Sequence, residues 1–266
     1  MRISFSTAAL YPRDSLESLA LIAQAGIKEA ELMPQCMHDM SASFAKEAAT
    51  KLHVSSIHYP LAMFAILYNV HPGMIKEARE LNSQIIESSH IMGTEAIVIH
   101  PHIAPSGAHA SSDPAKIKLL TQPILDNFVD LADKAAKYNI TIVVENNPRT
   151  EGPTPQKLVD YVDSFRHPHI KTIVDTTESF EADVDPASFI RIARPAHMHL
   201  SDHAGGLKHI NAGEGEMDWP SIMGELKNQN YQGIHVLEPS YRYYLCEDAE
   251  AIRVMAKSKA FIEQFA

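Results

Sequence analysis

Residues 140–148, ITIVVENNP, decide how the chain is read. Five apolar or β-branched residues in a row end in a carboxylate, Glu145, and a turn-forming Asn-Asn-Pro comes next. A run of this kind reads as a strand buried on both faces that delivers a polar group at its C-terminal tip. The arrangement recurs. IHYP ends at His58, IVIHPH at His100 and His102, and KTIVDTTE at Asp175 and Glu178. MHLSDH then supplies His199 and Asp202, and IHVLEP supplies Glu238. One such strand is ordinary; six that each hand a His, Asp or Glu to the same end point to one shared site.

Outward from that stretch the chain alternates. Strands are expected at 2–7, 29–33, 54–58, 95–100, 140–145, 170–175, 196–200 and 233–238, the second bringing Glu31 toward the site. Helices are expected at 15–25, 41–52, 72–93, 114–138, 155–165, 186–192, 219–229 and 247–265. The first is capped by Asp14 and closed by Gly26. Apolar LAMFAILYNV comes after the third strand and polar DHAGGLKHINAGEGEMDW after the seventh; both read as loops. Strand–helix alternation means a parallel sheet. Eight units of about 33 residues suit a barrel of ~250 residues. No linker divides the chain, so the expectation is an α/β, single-domain (β/α)8 TIM barrel over residues 1–266. An open dinucleotide-binding sheet would need GxGxxG after the first strand, and SFSTAALYPRD has no glycine. In a closed barrel the strand C-termini converge on one face, where active sites of this fold lie.

Composition narrows the class. At 266 residues and 45% hydrophobic, the chain can bury a large core. No apolar run approaches the ~18–20 residues that cross a bilayer, so no membrane partner is expected. The start, RISFST, reads as a strand rather than a secretory leader. Cys36 and Cys246 stand alone, as reduced thiols of a cytoplasmic protein would. A net charge of −10 argues against a nucleic-acid partner, which calls for a basic stripe.

Glu145, Asp175 and Glu238 with His199 form an N/O ligand set suited to a divalent ion such as Mn, Mg, Co or Zn. Facing anions in a partly dry mouth need a cation or protons between them. Taken singly, a strand-end Asp or Glu more often caps the next helix or pairs with Lys or Arg. The set is different, because no comparable number of basic residues sits at the same strand ends.

VVEN at Glu145, IVDT at Asp175, HLSD at His199, GEGEMDW at 213–219 and VLEP at Glu238 together resemble the xylose-isomerase-like TIM-barrel superfamily. The resemblance covers nearly the whole chain. It implies a metal-dependent isomerase or epimerase of a sugar or sugar phosphate, with the metal on Glu145, Asp175, His199 and Glu238. It further implies that Glu145 and Glu238 exchange the proton beside the substrate carbonyl, which the metal polarises. The superfamily also holds endonuclease IV, a three-zinc enzyme acting at abasic DNA. SIHYPLAMFAILYN, GTEAIVIHPH and KHINAGEG resemble its segments and would make His58, His100 and His209 further ligands. Two departures weaken the nuclease reading: Glu178 stands where the nuclease has a histidine, and Leu207 where it has an aspartate. The acidic balance opposes it as well. The His58/His100 pair can instead bind substrate. A lyase or dehydratase on this scaffold and a non-catalytic sugar-binding barrel are also compatible with the fold.

Asn146, His203 and Lys208 are read as substrate contacts, Lys208 being the cation nearest a substrate phosphate, although Asn146 also suits a plain turn. His235 falls mid-strand and is expected in the core; His102 and His109 are left open. YRYYL at 241–245 is read as a pocket wall, a lid or the contact of a homo-oligomer.

Overall fold

The computed structural model of the chain describes residues 1–103 and 111–266, so His109 lies outside the described residues. Eight strands close a wholly parallel barrel. They are β1 Arg2–Ser6, β2 Glu29–Leu32, β3 His53–His58, β4 Ala96–Ile99, β5 Thr141–Glu145, β6 Ile170–Asp175, β7 His197–Leu200 and, after a hairpin, β10 Ile234–Leu237. Around the barrel the order is β1-β10-β7-β6-β5-β4-β3-β2. The fold is therefore the TIM barrel that the alternation implies.

The outer helices begin and end where local chemistry allows. In α1 (Ser15–Gln24) the Asp14 carboxylate accepts from Leu16 N at 2.8 Å, and Gly26 beyond its end takes φ +75°. Helices α2 (Ala42–Lys51) and α3 (Phe64–Leu67) come next. The apolar segment around α3, expected as a loop, is helical because Phe64 and Leu67 have core to bury against. In α4 (Pro72–Met92), Pro72 sits in the first turn, and Gly93 closes the helix in the left-handed region. Then come α5 (Pro114–Ala136), α6 (Pro155–Ser164), α7 (Thr176–Glu181), α8 (Pro186–Ala193), α9 (Trp219–Asn228) and α10 (Asp248–Glu263). Among the described residues, no helix is long and apolar enough to cross a membrane.

The main core lies between the strands and these helices and includes Phe5, Ile22, Phe128 and Phe189. Inside the barrel the two sides differ. Ala96, Val98, Val143 and Ile173 form a small apolar cluster beneath the tips of β4, β5 and β6. The opposite side is polar: Ser4, Glu31, Ser56 and His197 are all buried. His235 is buried too, with Nδ1 3.1 Å from the carbonyl of Arg2.

The polar segment after β7, expected as a loop, contains a hairpin of β8 (Asp202–Ala204) and β9 (Leu207–Ile210). Gly205 and Gly206 turn it, both at positive φ, as a two-residue hairpin turn requires. Asp202 anchors the chain on both sides of this hairpin. Its carboxylate accepts from the backbone N–H of His203 (2.9 Å), Gly213 (3.0 Å) and Met217 (3.1 Å), and from Trp219 Nε1 (2.7 Å). That carboxylate, grouped with the strand-end residues on sequence grounds, is spent on holding the loop. Gly215 packs against it so closely that a Cβ there would lie 2.2 Å from Asp202 Oδ1.

Candidate active site

At the C-terminal mouth of the barrel a cavity of about 550 Å³ is lined by His58, His100, Glu145, Glu178, His209 and Glu238. Donor atoms of Glu145, Asp175, His199 and Glu238 lie within 4.8 Å of one another. The group is built around His199. Its Nδ1 is 2.7 Å from Glu145 Oε1 and 2.6 Å from Glu238 Oε2, and the ring has no exposed surface. Burial alone would lower the His199 pKa, but the carboxylates of Glu238, Glu31 and Glu145 hold it well above the ordinary value. Glu145 is the converse: burial pushes its carboxyl up, and His199, His100 and His58 bring it well below the usual range.

Asp175 does two things at once. Oδ1 accepts from Glu178 N at 2.7 Å and caps α7, while Oδ2 is buried without a partner. Burial is the main reason its pKa rises to about 7. Neighbouring His209 is pulled down by burial but pushed to about 9 by Asp175 and Glu178, and its Nε2 lies 3.5 Å from Glu178 Oε1. A buried carboxylate oxygen with no partner, on a residue grouped with two glutamates and a histidine, fits a divalent cation. The donor set is that of a hard-to-borderline divalent ion.

A second group forms around the far oxygen of Glu145. Its Oε2 is 2.9 Å from His100 Nε2 and 3.6 Å from His58 Nε2. His58 Nδ1 faces the carbonyl of Tyr59 at 2.8 Å, which leaves Nε2 toward the cavity. Donor atoms of His58, His100 and Glu145 come within 4.8 Å, whereas no ligand group of the described residues includes Glu178 or His209.

The three expected substrate contacts are placed away from the cavity lining. Asn146 is buried and braces β6: its Oδ1 accepts from Asp175 N (2.7 Å), and its Nδ2 donates to Asp175 O (3.2 Å) and Ser179 Oγ (3.1 Å). Lys208 is ion-paired with Glu181. His203 packs on Phe180, with ring centroids 4.0 Å apart. The cavity is instead walled by apolar Met33, Leu61 and Tyr241, with Asn147 and Gln35 as its amides. Tyr241 stands edge-on to Tyr11, so YRYYL contributes a pocket wall.

Glu31, expected from its strand only to point toward the mouth, has a more specific environment. It is fully buried beneath His199, with Oε1 3.0 Å from His199 Nε2. Oε2 accepts from Ser56 Oγ (2.7 Å) and lies 3.3 Å from His197 Nε2. The pairing of β2 with β3 steps from Ala30↔Val54 to Glu31↔Ser56, and this irregularity sets Ser56 beside Glu31.

The chain is similar to several known proteins. A stretch of 118 residues is 30% identical to the D-psicose 3-epimerase of Enterocloster bolteae. It takes in 42% of this chain and only 38% of that enzyme's length. The crystal structure of a D-tagatose 3-epimerase-like protein superposes with a TM-score of 0.81 at 20% identity, covering 100% of this chain and 97% of the other. That of the IolI protein with a binding zinc atom superposes at 0.76 and 17% identity, covering 100% and 99%. At these identities the structural likeness is one of fold. The family model for the xylose isomerase-like TIM barrel matches residues 19–264, and the chain belongs to that family.

Proposed function

We propose that the protein is a metal-dependent epimerase or isomerase of an unphosphorylated sugar. The observation that carries the reading is the placement of Glu145 and Glu238. They come from strands separated in the barrel by β6 and β7, line one cavity, and both reach the same nitrogen of His199. The ion would be held by Glu145, Asp175, His199 and Glu238. When bound it supplies Lewis-acid polarisation of a substrate carbonyl. Of the two glutamates, one takes the proton from the carbon beside that carbonyl, and the other returns a proton from the opposite side. Glu145 is suited to the role of base, because the surrounding histidines hold it as a carboxylate. His209, cationic at neutral pH, and Glu178 beside it are placed to orient substrate hydroxyls.

The cavity lining favours a sugar without phosphate. It contains no Lys or Arg among the described residues, and Lys208 is paired elsewhere. The epimerases among the similar proteins agree with this class of substrate. A cytoplasmic setting belongs to the same reading and is supported by the free Cys36 and Cys246.

The test is to incubate metal-loaded protein with a panel of free ketoses in D2O. Deuterium should enter at the carbon beside the carbonyl as the epimer or aldose accumulates. A second reading, a nuclease or other phosphoesterase with two ions, is favoured by the His58–His100–Glu145 group. Cleavage of an abasic duplex without exchange into any ketose would establish it instead.

A further inference from the structure

Glu31 and Asp202 are completely buried carboxylates outside the four-residue group. Asp202 is accounted for by four donors of its own loop. Glu31 faces the reverse side of His199. Its Oε2 is engaged by Ser56 and His197, and its Oε1 lies 3.0 Å from His199 Nε2. Both of those last two atoms are buried without a hydrogen-bond partner, so their 3.0 Å separation is a close approach rather than an aligned hydrogen bond. The other ring nitrogen, Nδ1, faces Glu145 and Glu238.

A neutral imidazole can ligate a cation only through the nitrogen without a proton, and the proton on the other nitrogen needs an acceptor. On that side the nearest carboxylate oxygen is Glu31 Oε1, unpartnered and close enough to accept after a small rotation of the ring. We infer that Glu31 is a positioning residue. It takes the Nε2 proton of His199 in a hydrogen bond, which fixes the ring so that the Nδ1 lone pair is presented to a cation among Glu145, Asp175 and Glu238. Ser56 and His197 hold the carboxylate in place, and the β2–β3 irregularity aligns Ser56 for this. The inference rests on the metal reading of the site.

One rival explanation is concrete. Donor atoms of Glu31, His197 and His199 also lie within 4.8 Å of one another, so the trio could itself be a ligand set. The experiment separates the possibilities. Metal-stripped full-length wild type, Glu31→Gln and Glu31→Asp are titrated with Zn²⁺ against a chromophoric chelator, and stoichiometry and thermal stability are recorded. Glu31→Asp keeps the charge but draws the carboxylate back from His199. Both variants should bind the same number of ions as wild type, with affinity lowered roughly 10–100-fold. In zinc-loaded wild type, ¹⁵N NMR should place the His199 proton on Nε2.

Wild-type affinity in a folded Glu31→Gln protein would overturn the inference; if that variant does not fold, wild-type affinity in Glu31→Asp would do so. A proton on Nδ1 would overturn it as well. Loss of one whole equivalent, with the remainder bound at wild-type strength, would make Glu31 a ligand of a separate ion. If wild type itself takes up no metal, the reading of the site fails first, and the failure is visible before any variant is measured.

Discussion

The carboxylate of Asp175 gives one oxygen to the amide of Glu178, 2.7 Å away, and leaves the other buried with no partner. Helix capping and cation binding are usually rival explanations of a strand-end aspartate. Here the cap uses Oδ1, and the proposed site would assign the unpartnered Oδ2 to the cation. Asp175→Asn separates them, because asparagine caps a helix about as well as aspartate. The variant should keep its melting temperature within a few degrees, yet bind a divalent ion at least about tenfold more weakly. Calorimetric titration with Mn²⁺ or Zn²⁺ beside a thermal melt reads both effects.

On the proposed mechanism, Glu238→Gln removes a ligand charge and a proton carrier together. At metal concentrations that restore occupancy, kcat for ketose epimerisation should fall by a factor of roughly 10²–10⁴, the usual contribution of a positioned acid or base. Activity near wild type in the fully loaded variant would exclude Glu238 from proton transfer. Glu178→Gln provides a contrast, since Glu178 lines the cavity but lies outside the ligand groups. Its effect should fall mainly on KM.

Metal binding should be coupled to protons with a definite sign. In the metal-free protein Asp175 titrates at about 7 and His199 is held protonated well above its ordinary value. A cation must displace those protons, so affinity falls as pH drops below about 7 and rises above it. Calorimetry in buffers of different ionisation enthalpy should detect proton release near neutral pH. Affinity that is flat between pH 5.5 and 8 would contradict the assigned protonation states.

Gly215→Ala tests the loop that carries the site's flank. The added Cβ would fall 2.2 Å from Asp202 Oδ1 and 2.4 Å from the carbonyl of His203, neither of which can yield without breaking the Asp202 network. Overpacking of this kind costs about 2–4 kcal/mol, or a melting-temperature drop of roughly 4–12 °C for a chain of this size. A thermal melt that does not shift would show that the loop relaxes freely.

The strand tips were legible in the sequence because each apolar run is short, ends in a His, Asp or Glu, and meets a turn. Period-two alternation then aligns Val143 with Glu145 and Ile173 with Asp175 on the inward side. The details past the tips depended on turns and irregularities, where alternation no longer tells direction. Asn146 comes immediately after Glu145, but its amide turns into β6 instead of the cavity. Asp202 sits two residues past the end of β7, where the chain turns into the hairpin and needs an anchor. Lys208 is on the far strand of that hairpin and finds Glu181. For Glu31 the strand tells only its direction toward the site: EAEL is an unremarkable strand, and the Glu31↔Ser56 pairing depends on a register step that no local pattern announces. The Gly-Gly pair at 205–206 was a readable hairpin signal within a stretch whose polarity suggested only a loop.

The central claim is that Glu145, Asp175, His199 and Glu238 hold one catalytic divalent ion. Its most direct test is elemental analysis of full-length protein purified without added metal or a chelating tag, before and after loading and desalting. About one equivalent of Mn, Mg, Co or Zn per chain is expected, and it should be lost in Asp175→Asn. Protein that retains no metal after loading, yet epimerises a ketose, would contradict the claim.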